Sequence, residues 1–307
     1  MSKKNKKMMA RFRSVTQSQN TNEKSNKSPP LFDDKQIDDN FPLYLTDTEH
    51  PFGINPVGTF NKIDSPEVSG KYLWLQGDDE NRFNSSKRKK GKDWKYLTKE
   101  VTYTVNSSGF RTLEWDQIDW KNSIVLLGCS CTYGIGLSDD ETISFHLERL
   151  SGRPVINLGV PGGSNSLILY NSTKILESFE TPYAVATIWT PTDRFEFFSK
   201  IGRHKSGPWD GRHKAPHTSQ ETDVSKLWQL TYADPSHEIG LTYNQGLIGK
   251  WLWKERSKYS SISFFYSTAQ ILNAEKHFKI DKTARDLQHP GEVISIEVAE
   301  YLHERFK

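Results

Sequence analysis

Two cysteines and three methionines in 307 residues leave little scope for sulfur chemistry. The cysteines, Cys129 and Cys131, stand one residue apart. A bridge between such close neighbours would be strained, and two thiols with no further Cys or paired His do not make a zinc site. They read as small turn residues of a reducing compartment. No apolar run approaches the roughly 20 residues of a membrane span. The opening Met1-Ser-Lys-Lys-Asn-Lys-Lys-Met-Met lacks the apolar stretch of a secretory signal, so a cytoplasmic location is expected. Without such a signal the acceptor patterns at Asn84, Asn106 and Asn171 read as chance matches. Gly-Lys-Ser/Thr and Gly-x-Gly-x-x-Gly are both missing, which argues against a nucleotide-binding loop. A net charge of +3 does not by itself imply a nucleic-acid partner.

Aromatics, by contrast, are plentiful, with 9 Trp, 12 Tyr and 16 Phe to build a core. Charge is unevenly spread. Residues 1–30 carry six lysines and two arginines against the single acid Glu23 and have almost no apolar content. They cannot offset their ordering entropy by burial, so a disordered basic arm is expected. Such an arm suits a protein assembly or an anionic surface; the plainer reading is a solvated tail. Residues 31–100 mix Pro, Gly and Asp with Phe41, Tyr44, Phe52, Phe60, Tyr72 and Trp74. This predicts a wrapping extension of turns and irregular pieces pinned by aromatic anchors. Ser85-Ser-Lys-Arg-Lys-Lys-Gly-Lys-Asp-Trp-Lys95 reads as a solvated basic loop, and nucleic acid is a disfavoured partner.

The stretch that organises the chain is Ser123-Ile-Val-Leu-Leu-Gly-Cys-Ser-Cys-Thr-Tyr-Gly134. Ile124 to Leu127 has the length of a strand buried on both faces, and Gly128 breaks it so that Ser130 falls in a turn at the strand's carboxyl end. In open α/β sheets that edge is where ligands bind. Near the other terminus, Asp286-Leu-Gln-His-Pro-Gly291 sets a carboxylate and an imidazole three residues apart. An unassisted serine is a poor nucleophile. It needs a base within reach, and the base needs a partner to fix its tautomer. One Asp-x-x-His turn can supply both.

With these residues the sequence resembles the SGNH/GDSL hydrolase superfamily. Gly128-Cys129-Ser130 stands where that family has its Gly-Asp-Ser turn, and Asp286 to Pro290 where it has its late Asp-x-x-His-Pro. Its second motif resembles Val155-Ile-Asn-Leu-Gly-Val-Pro-Gly162, which starts at Asn157 and makes Gly162 an oxyanion donor. Its third, Gly-x-Asn-Asp, would fall on Thr190-Pro191-Thr192-Asp193. There Thr192 replaces the oxyanion asparagine, just as Cys129 replaces the aspartate beside the nucleophile. The resemblance implies catalytic Ser130, His289 and Asp286, and an oxyanion hole from the Ser130 and Gly162 amides. Thr192, or Asn165 folding in, would stand for the missing amide. Tyr133 and Arg194 are the candidates for substrate contact. Val101 to Arg111 supports the resemblance through its Asn-x-x-Gly-Phe-Arg, with Arg111 expected at the surface.

Strand, helix, strand, helix and strand follow at Ile124–Leu127, Ser138–Leu150, Val155–Leu158, Ser164–Phe179 and Tyr183–Trp189. Short connections imply a parallel sheet with right-handed crossovers. The expected fold is a flavodoxin-like doubly wound α/β/α sandwich over residues 101–307. Residues 194–255 would interrupt it as a cap, Ile262–Tyr266 would be a further strand, and an amphipathic helix would close the chain. His204, His213 and His217 in the cap have no metal-site template, and neither metal nor cofactor is implied.

The expected function is therefore a serine esterase acting on a small-molecule or glycan ester, removing an O-acyl group such as acetate from a carbohydrate or lipid. The alternative is a binding or structural protein that keeps the scaffold without full chemistry, tethered by the basic arm in an assembly such as a viral particle. That alternative draws on Thr192, on Cys129 and on the long basic, aromatic-pinned N-terminal portion.

Overall fold

The computed structural model of the protein describes residues 69–75, 77–199, 202–206 and 235–307. The basic arm, the anchors Phe41, Tyr44, Phe52 and Phe60, and residues 207–234 of the expected cap, with His213, His217 and Trp228, lie outside the described residues. In chain order the elements are β1 (Gly70–Tyr72), α1 (Glu80–Ser86), β2 (Tyr103–Val105), β3 (Ile124–Gly128), α2 (Ser130–Tyr133), α3 (Ile143–Ser151), β4 (Val155–Gly159), α4 (Asn165–Ser178), β5 (Ala184–Trp189), β6 (Phe195–Ser199), β7 (Gly202–Ser206), α5 (Pro235–Trp253), β8 (Lys258–Ser263), α6 (Tyr266–Ile271), β9 (Lys276–His277) and α7 (Glu292–Phe306).

The continuous apolar runs become strands buried at every position, β3, β4 and β5. Runs of this kind belong to parallel sheets covered on both faces. The main sheet has the order β4-β3-β5-β8-β9, and every neighbouring pair is parallel. Counted along the chain this is the 2-1-3-4-5 order of a flavodoxin-like doubly wound sheet. Side chains alternate between its faces. Ile124, Leu126, Ala184 and Ala186 pack against Ile143 and Leu147 of α3 and Ile294, Val298 and Leu302 of α7. Val125, Leu127 and Val185 face the other way, onto Leu167, Ile168 and Ile175 of α4 and Leu252 and Trp253 of α5. Each of the Val, Leu and Ile side chains among them contributes about 1.5–3 kcal/mol by leaving water.

Several expectations are corrected. Part of the region read as a cap is layer rather than lid, because α5 is the crossover helix between β5 and β8 and packs beside α4. The β6–β7 hairpin is the part that leaves the sheet rhythm. The fourth strand starts earlier than Ile262, at Lys258. The extension contains a short helix, α1, capped by the Asp79 side chain on the Arg82 N–H. Between Ser138 and Leu150 a capping box of Ser138 and Glu141 closes a 3₁₀ turn first, and Thr142 then caps α3.

Arg111 is buried rather than on the surface. Its Nη1 donates to the carbonyls of Gly134 at 2.8 Å and Leu137 at 3.1 Å, and its Nη2 to Asp139 at 2.6 Å. These bonds fix the loop that leaves α2. Among the described residues no helix is long and apolar enough to cross a membrane.

One glycine decides how α2 can lie across the sheet edge. A Cβ on Gly159, the last residue of β4, would come 2.3 Å from the Tyr133 nitrogen and 2.8 Å from its Cα. We expect Gly159→Ala to cost about 1–3 kcal/mol, the usual penalty of overpacking, read as a lower urea midpoint at unchanged slope. Wild-type stability in this variant would show that α2 can lift from β4 freely.

Candidate active site

Ser130 is the first residue of α2, directly beyond the buried end of β3. Cys129 caps the helix with φ −107° and ψ −148°, so the chain passes from strand to helix within one residue. First-turn N–H groups of a helix lack an intrahelical acceptor, and the Ser130 N–H is one of them. Asn157 braces α2 from the neighbouring strand. Its Nδ2 donates to the Thr132 carbonyl at 2.8 Å and its Oδ1 accepts from the Gly159 N–H at 3.0 Å.

The acid and base share one turn. Asp286 Oδ1 accepts from the backbone N–H groups of Gln288 and His289, each at 3.1 Å. The turn carries Leu287 through a positive φ of 62°. Such a conformation costs a non-glycine residue about 1–3 kcal/mol and persists only where surrounding structure imposes it. Asp286 Oδ2 lies 2.5 Å from His289 Nδ1, and His289 Nε2 lies 2.8 Å from Ser130 Oγ. The Asp286 side chain is sealed from solvent while that of His289 is 20% exposed. A buried carboxylate on Nδ1 selects the tautomer with its proton there, which leaves the Nε2 lone pair facing the serine hydroxyl.

Past β4, Val160-Pro161-Gly162-Gly163 is a tight turn closed by the Gly163 N–H on the Val160 carbonyl at 2.8 Å. Pro161 followed by Gly162 at φ 72° is the signature of a type II turn, which needs a positive φ at its third residue. Parallel strands put this turn on the same sheet edge as Ser130, and the Val160 N–H to Gly128 carbonyl bond, 2.9 Å, joins the two strand ends.

The remaining candidates fare differently. Asn165, expected to fold in toward an oxyanion, is buried with its amide engaged elsewhere. Its Oδ1 accepts from the Thr190 N–H at 3.0 Å and its Nδ2 donates to the Thr190 carbonyl at 3.1 Å. It braces the loop after β5. Thr192, half-buried, lies two residues further along that loop. Arg194 is also half-buried and donates from Nη1 to the Thr190 hydroxyl at 2.8 Å. Tyr133 is not a substrate contact. It is fully buried among Tyr103, Val101 and Ile135, and its hydroxyl donates to the Gly109 carbonyl at 3.3 Å. Burial pushes its phenol well above the usual range.

Both cysteines are buried and free. The Cys131 thiol is pushed up by its hydrogen bond with Cys129 and by burial, which keeps it protonated. Among the described residues no three His, Cys, Asp or Glu side chains gather as a metal site. Sequence reasoning missed Asp78, Tyr103 and Arg285, which pack directly behind the Asp286 turn.

The sequence matches no protein-family model and no curated protein. Among solved structures the chain is similar to a putative lipolytic protein of the G-D-S-L family from Desulfitobacterium hafniense DCB-2, at 9% identity over 60% of this chain and 99% of that one, with a TM-score of 0.34. It is likewise similar to TesA, at 13% identity over 60% and 98% with a TM-score of 0.37. A third is the psychrotrophic esterase EstA from Pseudoalteromonas sp., at 14% identity over 60% and 96% with a TM-score of 0.31.

The Asn165 brace can be tested directly. Asn165→Leu would leave the Thr190 N–H and carbonyl buried without partners, a loss of about 1–3 kcal/mol. We expect urea unfolding to shift by that amount, and an unshifted midpoint would show that water reaches Thr190.

Proposed function

We propose that the protein is a serine ester hydrolase of the SGNH/GDSL kind. Ser130 Oγ attacks the ester carbonyl while His289 Nε2 takes its proton. The tetrahedral oxyanion is held by the N–H groups of Ser130 and Gly162, with the Thr192 hydroxyl as a further donor. Collapse expels the alcohol, which takes the proton back from His289 and leaves an acyl group on Ser130. Water, deprotonated by His289, then attacks that ester, releases the carboxylic acid and restores the serine. Asp286 keeps the imidazole in its working tautomer and stabilises the imidazolium that forms. The substrate class we assign is an O-acyl ester, such as an acetyl group on a carbohydrate or lipid, following the family resemblance of the motifs.

The observation that carries this reading is the line of contacts Asp286, His289, Ser130, at 2.5 Å and 2.8 Å. Each residue lies within the reach that proton transfer requires. A binding scaffold gains nothing from an imidazole aimed at a serine and backed by a sealed carboxylate. The scaffold alternative draws on Thr192, on Cys129, whose Sγ lies 4.0 Å from Ser130 Oγ, and on the basic, aromatic-rich N-terminal portion of the sequence, and none of these removes the imidazole and carboxylate from the serine.

A fluorophosphonate probe read by intact mass tests the proposal. We expect one adduct on the wild-type chain, none on Ser130→Ala, and labelling slowed by about 10²–10⁴-fold in His289→Ala, the usual worth of a general base. A folded wild-type protein that takes no label would overturn the hydrolase reading in favour of the scaffold.

A further inference from the structure

Arg285, the residue before Asp286, is a buried cation, and so is the anion it meets a buried group. Arg285 is 3% exposed and Asp78 not at all. Arg285 Nε lies 3.1 Å from both carboxylate oxygens of Asp78, and Nη2 lies 2.7 Å from Oδ2. Nη2 also donates to the Leu73 carbonyl at 2.7 Å, and the guanidinium stacks on Trp74 at 3.9 Å from the ring centre. Taking two charges out of water is costly, and it is recovered only where the geometry is good and the remaining donors are satisfied. Here they are.

The contacts continue into a closed ring. Asp78 Oδ2 also accepts from the Tyr103 hydroxyl. The Tyr103 oxygen accepts the Gly136 N–H at 2.8 Å, and the Gly136 carbonyl accepts the Arg285 N–H at 3.0 Å. Gly136 lies in the loop leaving α2, one residue after Ile135, whose N–H bonds the Ser130 carbonyl at 3.2 Å. One side of the ring therefore holds the serine's turn, and the other ends at the residue joined to Asp286.

We propose that Asp78, Tyr103 and Arg285 are positioning residues that hold His289 against Ser130 by locking these two turns together. The inference rests on the roles proposed above for Ser130, His289 and Asp286. It makes the segment around Leu73 to Val105 a working part of the active site, since that segment supplies both Asp78 and Tyr103.

The full chain carries the test. Tyr103→Phe removes the hydroxyl that joins Asp78 to Gly136 and keeps the ring's packing. Arg285→Lys keeps the charge without the two-pronged geometry. Two readouts apply: the bimolecular rate of fluorophosphonate labelling, and the far-downfield proton resonance of the His289 Nδ1–H bonded to Asp286. We expect both variants to fold, to label about 10–100-fold more slowly, as a misplacement of the base by up to about 1 Å would give, and to show a displaced resonance. Asp78→Glu should recover part of the rate that Asp78→Asn loses. If Tyr103→Phe and Arg285→Lys lower only the thermal midpoint, with rate and resonance as in wild type, the ring is structural and the proposal falls. Should the wild-type chain itself not label, the hydrolase reading fails separately. The resonance then decides the ring: a shift in Tyr103→Phe upholds it and an unmoved signal overturns it.

Discussion

The contact between His289 Nε2 and Ser130 Oγ, 2.8 Å across 159 residues of sequence, sets the demand that the rest of the structure meets. For the hydrolysis proposed above, a shift of about 1 Å at this contact would cost on the order of 10²-fold in rate, so both backbones must be held rather than merely brought near. On the serine side β3 is hydrogen-bonded on both edges, to β4 and β5, and α2 follows it without a flexible linker. On the histidine side the chain doubles back on itself. The Gly291 N–H meets the Lys282 carbonyl at 2.8 Å and the Ala284 N–H meets the His289 carbonyl at 2.9 Å, so the turn is closed at its base before α7 begins. α7 then anchors that base in the core through Ile294, Val298 and Leu302.

Much of this was legible locally. Ile124–Leu127, Val155–Leu158 and Tyr183–Trp189 read as strands because strands covered on both faces are mostly near-continuous apolar runs, and the helices between them announce themselves by capping residues and a regular apolar stripe. Asp286 and His289 were legible as a pair because a single turn fixes their relation. β8 was harder to read. Its Lys-Tyr-Ser-Ser-Ile-Ser sequence is polar, yet Ser260 and Ser263 are fully buried, with hydroxyls bonded to Glu275 at 2.8 Å and to the Trp189 carbonyl at 3.2 Å. Hydroxyls satisfied in this way sit in a core that composition alone would deny them. α5 was hidden for a related reason. Gly240, Gly246 and Gly249 lower its intrinsic helix preference, and packing against α4 overrides that local deficit.

Charged residues were read least well, because their placement depends on partners far away. Asp78 and Arg285 stand 207 residues apart, and nothing in either neighbourhood distinguishes them from solvated loop residues. Arg111 reads the same way until the carbonyls of Gly134 and Leu137 are seen to converge on it. Two buried arginines thus grip the loop leaving α2 from different directions, Arg111 through side-chain bonds and Arg285 through its backbone N–H on Gly136. Loops need such help. With few apolar side chains to bury, they are held by hydrogen bonds, and a guanidinium offers five donors in a fixed plane.

Local and distant contacts also bear differently on the departures from the motifs that the sequence resembles. In the mechanism proposed above, nucleophile activation depends on the Ser130, His289 and Asp286 contacts, and those residues match the SGNH/GDSL motifs that the sequence resembles. The departures, Cys129 and Thr192, fall beside the serine and on the loop after β5. That loop is not loose at its stem, since Asn165 clamps Thr190 through both its N–H and its carbonyl. Thr192 is carried from that clamped stem, while the Ser130 and Gly162 amides proposed as donors belong to the backbone, Gly162 at the positive φ of 72° that a glycine adopts freely. Losing one donor of an oxyanion hole typically costs about 10²–10³ in rate and leaves the remaining donors working. For the proposed hydrolase, replacing an asparagine by Thr192 therefore bears on how fast the tetrahedral intermediate is reached, whereas the choice between enzyme and scaffold turns on whether His289 can take the proton of Ser130.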